Sequence, residues 1–352
     1  MDSISNYEKY RRICRKKVTF TLICIALLLV TLIISISVGF FRISFMDSLN
    51  VIIKCFNGED VPRQLRMIVW EGRLPEALTA IVVGSALAVG GAVMQTMLRN
   101  PLAGPYTMGV SSGAAFGVSI AAILGLSVIP GATSNIAVIF NAFIFSLIPM
   151  GIILAVSRKG TMTPTKVILT GIAVMYLFSA ITTVLMLSAN DETLANVYAW
   201  RVGTLSRPDW SYLSLMSITT ISGMMFLMAN SRKYNVLMAG DECAKSLGVD
   251  PKRTTLVGMT VISLMTASVV CFTGTIGFIG LVGPHIARIF VGSDTKYLIP
   301  ASAFFGALFL LCADCISRVV GSLGMPVGVV SALVGCPLFI IILIRMRSKE
   351  WA

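Results

Sequence analysis

Charge is scarce in this chain and histidine almost absent. Of 352 residues, 12% are Asp, Glu, Lys or Arg, 56% are hydrophobic, and His occurs once. Soluble domains carry about 25% charged residues, so the composition excludes a soluble globule and leaves a polytopic membrane protein built as a single bundle over 1–352. The lone His285, with Cys312 and Cys315 unmatched by a second Cys pair, supplies no zinc ligand set, and no metal is expected. Most of the eight cysteines, such as Cys24, Cys271 and Cys336, sit in apolar runs and read as small buried hydrophobes. Only Cys55 falls in a segment placed outside, so no disulfide framework is indicated.

Other absences narrow the function. There is no Gly-x-x-x-x-Gly-Lys-Ser/Thr phosphate loop, so ATP is not bound in that way. There is no His-Glu-x-x-His, no Gly-x-Ser-x-Gly and no acid pair placed for proton transfer, which points away from an enzyme and from a resident cofactor. A carrier driven by protons or sodium needs ionisable groups within its spans. Asp314 is nearly the only clear one, so a self-sufficient secondary transporter is the alternative reading rather than the main one. A membrane scaffold that transports nothing is a third, disfavoured by the glycine-broken helices described next. The net charge of +12 lies between apolar runs and not on one amphipathic face, which argues against nucleic acid and for basic cytoplasmic loops.

What is present centres on 73–117. After Arg73-Leu-Pro comes an uncharged run from Ala77 to Leu98, long enough to cross a bilayer and rich in Gly and Ala. Arg99-Asn-Pro-Leu-Ala-Gly-Pro then leads to a second segment in which Gly109, Gly113 and Gly117 fall four apart, a spacing that permits close helix approach in lipid. Residues 1–17 form a basic N-terminal segment. The uncharged run 18–41 is too long, and lacks the small-residue site, for a cleaved signal peptide.

A mixed polar segment, 42–72, reads as an external loop with a short surface helix. Helices follow near 75–98, 106–126, 135–156, 166–188, 211–230, 255–273, 298–318 and 326–344, with a Gly-interrupted short helix from Gly274 to Arg288. The expected fold is therefore all-α, with about ten transmembrane helices and broken half-helices at 101–117 and 274–288. With both termini cytoplasmic, 20 of the 28 Lys/Arg fall inside, as the positive-inside tendency requires. Within the inner loop 231–254, Ala239 to Gly248 reads as a short helix. Asp241 and Glu242 suit its first turn, Ala244 and Leu247 form a small apolar ridge, and Gly248 marks its stop. Asp314 and Arg318, four apart, share a helix face and are placed to pair.

These pieces resemble the permease subunits of ABC importers for iron-siderophores, haem and cobalamin. The resemblance rests on Arg73-Leu-Pro, the Gly84–Gln95 helix, Arg99-Asn-Pro-Leu-Ala and the Gly-x-x-x-Gly segment. It extends to Trp200-Arg-Val-Gly203-Thr-Leu and to Gly274-Thr-Ile-Gly277-Phe-Ile-Gly280-Leu-Val-Gly-Pro284-His285-Ile-Ala-Arg288, where only Ile279 departs from the family's Val. It implies a multi-pass permease of the cytoplasmic membrane, paired with a second copy of itself or a close homologue. Two cytoplasmic ATPases would bind ATP and Mg, and an external binding protein would deliver a ferric siderophore, haem or cobalamin. It further implies that Asp241, Glu242, Ala244, Leu247 and Gly248 form the ATPase-coupling helix. Arg73 and Arg318 would dock the binding protein, and Trp200 and Gly203 would end a short gating helix beside the pathway. Glu76 stands where the family often has a second docking arginine, which leaves Arg63 or Arg66 to compensate. His285 reads as a structural group near the inner surface, capping backbone freed by Pro284, with a proton-linked role as the alternative.

Overall fold

The computed structural model describes residues 2–39, 41, 43–132, 134–158, 163–207, 209–320 and 324–345. Arg42, Lys159, Arg347 and Lys349, counted in the charge balance above, lie outside them. The chain runs through α1 (Asp2–Ser37), α2 (Phe45–Phe56), α3 (Arg63–Leu65), a π-helical stretch (Arg66–Arg73) and α4 (Leu74–Met97). A 3-10 turn (Tyr106–Met108) precedes α5 (Val110–Leu124), α6 (Ser134–Arg158), α7 (Pro164–Met186) and α8 (Asp191–Val202). Then come α9 (Trp210–Ala229), α10 (Ser231–Met238), α11 (Asp241–Ser246) and α12 (Pro251–Thr273). The chain closes with α13 (Ile279–Val291), α14 (Thr295–Ser317) and α15 (Val327–Arg345). The described residues contain no strand. Seven of the described helices are long and apolar enough to cross a membrane, and α5, α13 and the apolar part of α15 are shorter apolar segments.

Polar side chains set where these helices begin. Thr163 caps α7, Asn190 caps α8, Asp209 caps α9, Asp250 caps α12 and Asp294 caps α14, each accepting a backbone N–H of the first turn. Pro164 and Pro251 occupy the first turn, where a missing N–H costs nothing.

Packing is organised around α4, which is buried along nearly all its length. The reason is its small residues. A Cβ at Gly84 would stand 2.4 Å from the carbonyl oxygen of Gly306 in α14, and one at Gly91 would stand 1.8 Å from that of Gly280 in α13. Backbone therefore meets backbone along two faces of one helix, the arrangement that drives association in lipid, where apolar area alone gives no preference for protein over acyl chain. Ser85 adds a hydrogen bond to the Ala303 carbonyl at 3.1 Å.

The glycine stripe of α5 works in the same way against α6. A Cβ at Gly113 would lie 2.4 Å from the Phe145 carbonyl oxygen, and one at Gly117 would lie 2.4 Å from that of Asn141. Gly109 departs from the expected stripe. It is the left-handed residue (φ 87°) that turns the 3-10 segment into α5, so the predicted helix over 106–126 is broken at this point.

Candidate functional site

Two short helical breaks meet beside α4, and each contains a strained residue. Arg99 (φ 49°) follows α4 and Phe278 (φ 67°) precedes α13, and they are the two non-glycine left-handed residues among the described ones. Such conformations persist only where the surroundings over-determine them.

The break at 274–278 is a junction of three backbones. A Cβ at Gly274 would fall 2.1 Å from the Trp200 carbonyl oxygen, and one at Gly203 would fall 2.4 Å from that of Thr275. A Cβ at Gly328, at the start of α15, would fall 1.8 Å from the carbonyl oxygen of Val202. Thr204 N–H donates to the Thr273 carbonyl at 2.8 Å, and the Thr275 hydroxyl donates to the Arg201 carbonyl. Along α15, Ser331 donates to the Gly277 carbonyl at 3.4 Å, and Gly335 leaves room for Phe278. Trp200, Gly203 and Gly277, singled out in the sequence, thus belong to one junction, whereas Gly280 packs against Leu87 and Gly91 of α4. A Cβ at Gly277 would meet nothing within 4 Å, so its role is not close packing. The stripe Gly328–Ser331–Gly335 escaped the sequence reading, although its three- and four-residue spacing was a usable signal.

The loop is tied to the other break by Tyr106, whose hydroxyl accepts the Ile276 N–H at 3.1 Å. Tyr106→Phe should leave that N–H unpaired and lower stability by about 1–3 kcal/mol, read as an earlier thermal unfolding of the detergent-purified protein. An unchanged transition would show that the tie contributes nothing.

Further along α13, Pro284 removes the N–H that would bond the Gly280 carbonyl. Gln95 of α4 reaches that carbonyl instead, at 3.5 Å, so the capping expected of His285 falls to a residue the sequence did not flag. His285 is buried, with Nδ1 2.7 Å from the Leu281 carbonyl oxygen and its ring edge-on to Phe339 at 5.2 Å. Its surroundings are those of a packed core group.

At one end of the bundle lie α10 and α11. The 231–254 segment holds two helices where one was expected, and each has its own anchor. Asn235 of α10 donates to Asp294 at 2.8 Å and accepts the Thr295 N–H at 2.9 Å, fixing α10 to the start of α14. Asp241 of α11 accepts from Arg99 Nη2 at 2.6 Å, fixing α11 to the corner after α4.

The end of α11 is a Schellman turn. Val249 N–H bonds the Ala244 carbonyl at 2.9 Å, Gly248 N–H bonds that of Lys245 at 2.9 Å, and Gly248 takes φ 76°. Asp250 caps α12 directly afterwards, so α11 and α12 are joined without slack.

The apolar ridge expected of Ala244 and Leu247 is divided. Ala244 is fully buried against the body, whereas Leu247 is 63% exposed. Glu242 also points outward and pairs with Lys245 at 2.8 Å, which raises the ammonium's pKa. Nothing stands near Gly248. The outward face of the α11 turn therefore includes Glu242, Leu247 and Gly248, together with the exposed Cys243, Lys245 and Ser246.

At the opposite end, Arg73 and Arg318 are folded into the chain. Arg73 is 6% exposed and donates to the carbonyls of Ile36 and Ser37 at 3.0 Å and to that of Phe41. Arg318 bonds the Asp314 carboxylate as the i,i+4 spacing predicted, and its Nε lies 3.3 Å from Glu76. Arg318 also donates to the Ser35 carbonyl at 3.3 Å, so one guanidinium joins α1, α4 and α14. Glu76, in the place of a second arginine, is thus an internal partner of Arg318. Arg73, Glu76 and Arg318 line one side of a vestibule of about 660 Å³, with Thr204–Ser206 on another side. Arg63 and Arg66 remain exposed nearby, Arg66 beside Glu71 at 3.3 Å.

A helical bundle with two broken segments and a rigidly mounted short helix at one end is shared by the membrane subunits of ATP-binding-cassette importers, and the likeness of this chain to known proteins places it among them. It superposes with TM-score 0.81 and 26% identity on a structure described as "An inward-facing conformation of a putative metal-chelate type ABC transporter", covering 93% of this chain and 99% of that one. The chain belongs to the FecCD transport family, whose model matches residues 27–345. It is 40% identical to the cobalamin import system permease protein BtuC of Halobacterium salinarum, over 82% of this chain and 76% of that protein. It is 38% identical to the iron(3+)-hydroxamate import system permease protein FhuB of Bacillus subtilis, over 80% and 72% respectively.

Proposed function

We propose that two copies of this chain form the pathway of an importer for a large metal chelate, a ferric siderophore in the first instance. Two cytoplasmic ATPases would bind at α11, and an external binding protein would dock at the end holding Arg73, Glu76 and Arg318. The orientation rests on the Lys/Arg balance, which places α10 and α11 inside together with both termini. Relatives that import cobalamin and iron-hydroxamate are nearly equally similar to this chain, which supports a chelate cargo. α11 carries the reading: its Glu242–Leu247–Gly248 face is open, while its base is held to α4, α12 and, through α10, to α14.

A rigid base transmits movement. An ATPase that displaces α11 pulls on Arg99 and on the first turn of α12, and α12 ends at the 274–278 junction. The gate in this reading is Trp200–Gly203 against α15. The two arginines already serve internal partners, so docking of the binding protein falls first to the exposed Arg63 and Arg66, with Arg318 recruited only if Glu76 releases it. Adenine nucleotide and Mg belong to the partner subunits.

The test is co-purification of the tagged chain with its ATPase, comparing the native sequence with Glu242→Arg plus Gly248→Trp. Retention by the native chain and at least about tenfold loss in the variant is the expected result, since a charge reversal and an indole would occupy the open face. Equal retention would remove α11 from the interface. If neither chain retains an ATPase and the chain alone moves substrate, abolished by a protonophore, the secondary-transporter alternative replaces this reading.

A further inference from the structure

We propose that the groove between α1 and α13 is a binding site for an anionic phospholipid of the leaflet on the amino-terminal side. Arg11, Arg12, Arg15 and Lys16 line it at one end, and Phe20, Ile23, Ile289 and Phe290 floor it at the other, around a volume of about 890 Å³. No acid lines it. None of the four cations enters an ion pair among the described residues, although the sixteen acids of the chain supply partners to Arg66, Arg99, Lys245 and Arg318.

Helical spacing makes this one surface. Arg12, Lys16, Phe20 and Ile23 recur at four, four and three residues, with Arg11, Arg15 and Thr19 beside them. The next cation, Lys17, turns away and lies over the Tyr297 ring at 4.9 Å, so it is spent on α14. A tendency of inner loops to be basic accounts for cations in this segment. It does not account for four cations, none in an ion pair among the described residues, lining the polar end of a groove whose other end is apolar.

The chemistry of the occupant follows from that gradient. Ile23 is 51%, Ile289 61% and Phe290 57% exposed, and Phe20 stacks on Phe290 at 4.5 Å to form a flat apolar wall. In a bilayer an apolar wall on the outside of a bundle is covered by an acyl chain. Four cations where that wall meets water select a phosphate head group without a balancing positive charge, since basic clusters beside a span attract anionic lipid. Two phosphates on one head group would suit the site better than one. The site also touches α13, whose other end enters the three-backbone junction, so an occupied groove would hold α13 against α1 and bias how freely the break moves.

The experiment uses the full chain purified in detergent and native mass spectrometry with dioleoyl-phosphatidylglycerol, cardiolipin and dioleoyl-phosphatidylcholine. The anionic lipids should bind about tenfold or more tightly than phosphatidylcholine, with cardiolipin tightest, and R11Q/R12Q/R15Q/K16Q should erase the preference. Thr19→Trp with Ile23→Trp keeps every charge but fills the groove, and should lower anionic-lipid binding while leaving that of phosphatidylcholine unchanged. If the glutamine variant does not insert, this second variant decides alone. Equal binding of the lipids, or a preference that survives both variants, overturns the proposal. So does competition by glycerophosphoglycerol or an acidic peptide as effective as that by intact lipid, which would assign the surface to a soluble anion or a protein.

Discussion

Replacing Gly91 by Ala should destabilise this protein more than any other single methyl group added to α4. The new Cβ would stand 1.8 Å from the carbonyl oxygen of Gly280 and 2.7 Å from its carbon, both rigid backbone atoms. No rotamer relieves that contact, so α4 and α13 must separate. Separation also loosens the Gln95 bond to Gly280, one turn away. Overpacking commonly costs about 1–3 kcal/mol where side chains can yield. Here backbone must yield, and a loss of about 3 kcal/mol or more is expected, with Gly91→Leu giving no folded material. Gly151 in α6 is the control. A Cβ there meets nothing within 4 Å, so Gly151→Ala should leave the unfolding temperature unchanged or slightly raised. Thermal unfolding of the purified variants decides, and equal behaviour of Gly91→Ala and Gly151→Ala would show that α4 and α13 do not meet as described.

Removing the Arg318 guanidinium should have an effect of similar size by a different route. Arg318→Met leaves the Asp314 and Glu76 carboxylates, side chains 1% and 19% exposed, without the cation that compensates them. Arg73 does not take over, because its guanidinium is already bound to three carbonyls. Breaking a buried pair from one side costs about 3–5 kcal/mol. The triple variant Glu76→Gln, Asp314→Asn, Arg318→Met removes all three charges and should recover most of that loss. The comparison of single with triple variant is what counts. If the triple variant is no more stable than Arg318→Met, uncompensated charge is not the cause, and the loss belongs to the Ser35 hydrogen bond between α14 and α1.

How far the sequence revealed this arrangement depended on the range of each interaction. Helix positions follow from runs of apolar residues and from local caps, and α4, α6, α7, α9, α12, α14 and α15 lie within a few residues of the expected spans. The Asp314–Arg318 pair was legible because it is one helical turn long. The third member, Glu76, was not, because it lies 242 positions before Arg318 and no spacing rule links them. For the same reason Asn235 gave no sign of its role: its partners Asp294 and Thr295 come from another helix. Glycines marked close approach but not toward which neighbour, and the orientation of Arg73 toward the end of α1 depends on a fold that no local pattern encodes. Within α11 the residues were found but their faces were not. Ala244 and Leu247 are three apart, yet Leu247 lies beyond the last turn, where the chain has begun to reverse.

The side-chain-free faces of α4 carry a consequence for biogenesis. Its partners are synthesised late: Gln95 waits for a carbonyl 185 residues downstream, and Ser85 for one 218 residues downstream. At about 5–20 residues per second, that interval is about 10–40 s. During it the two faces of α4 that meet α13 and α14, bare backbone flanked by hydroxyl and amide groups, lack the partners they pack against in the folded protein. Until α13 and α14 emerge, the nascent chain depends on the insertion machinery, or on α1, to shelter α4. A ribosome stalled before Ile279 would release a polypeptide that quality-control proteases can recognise by that unsheltered helix.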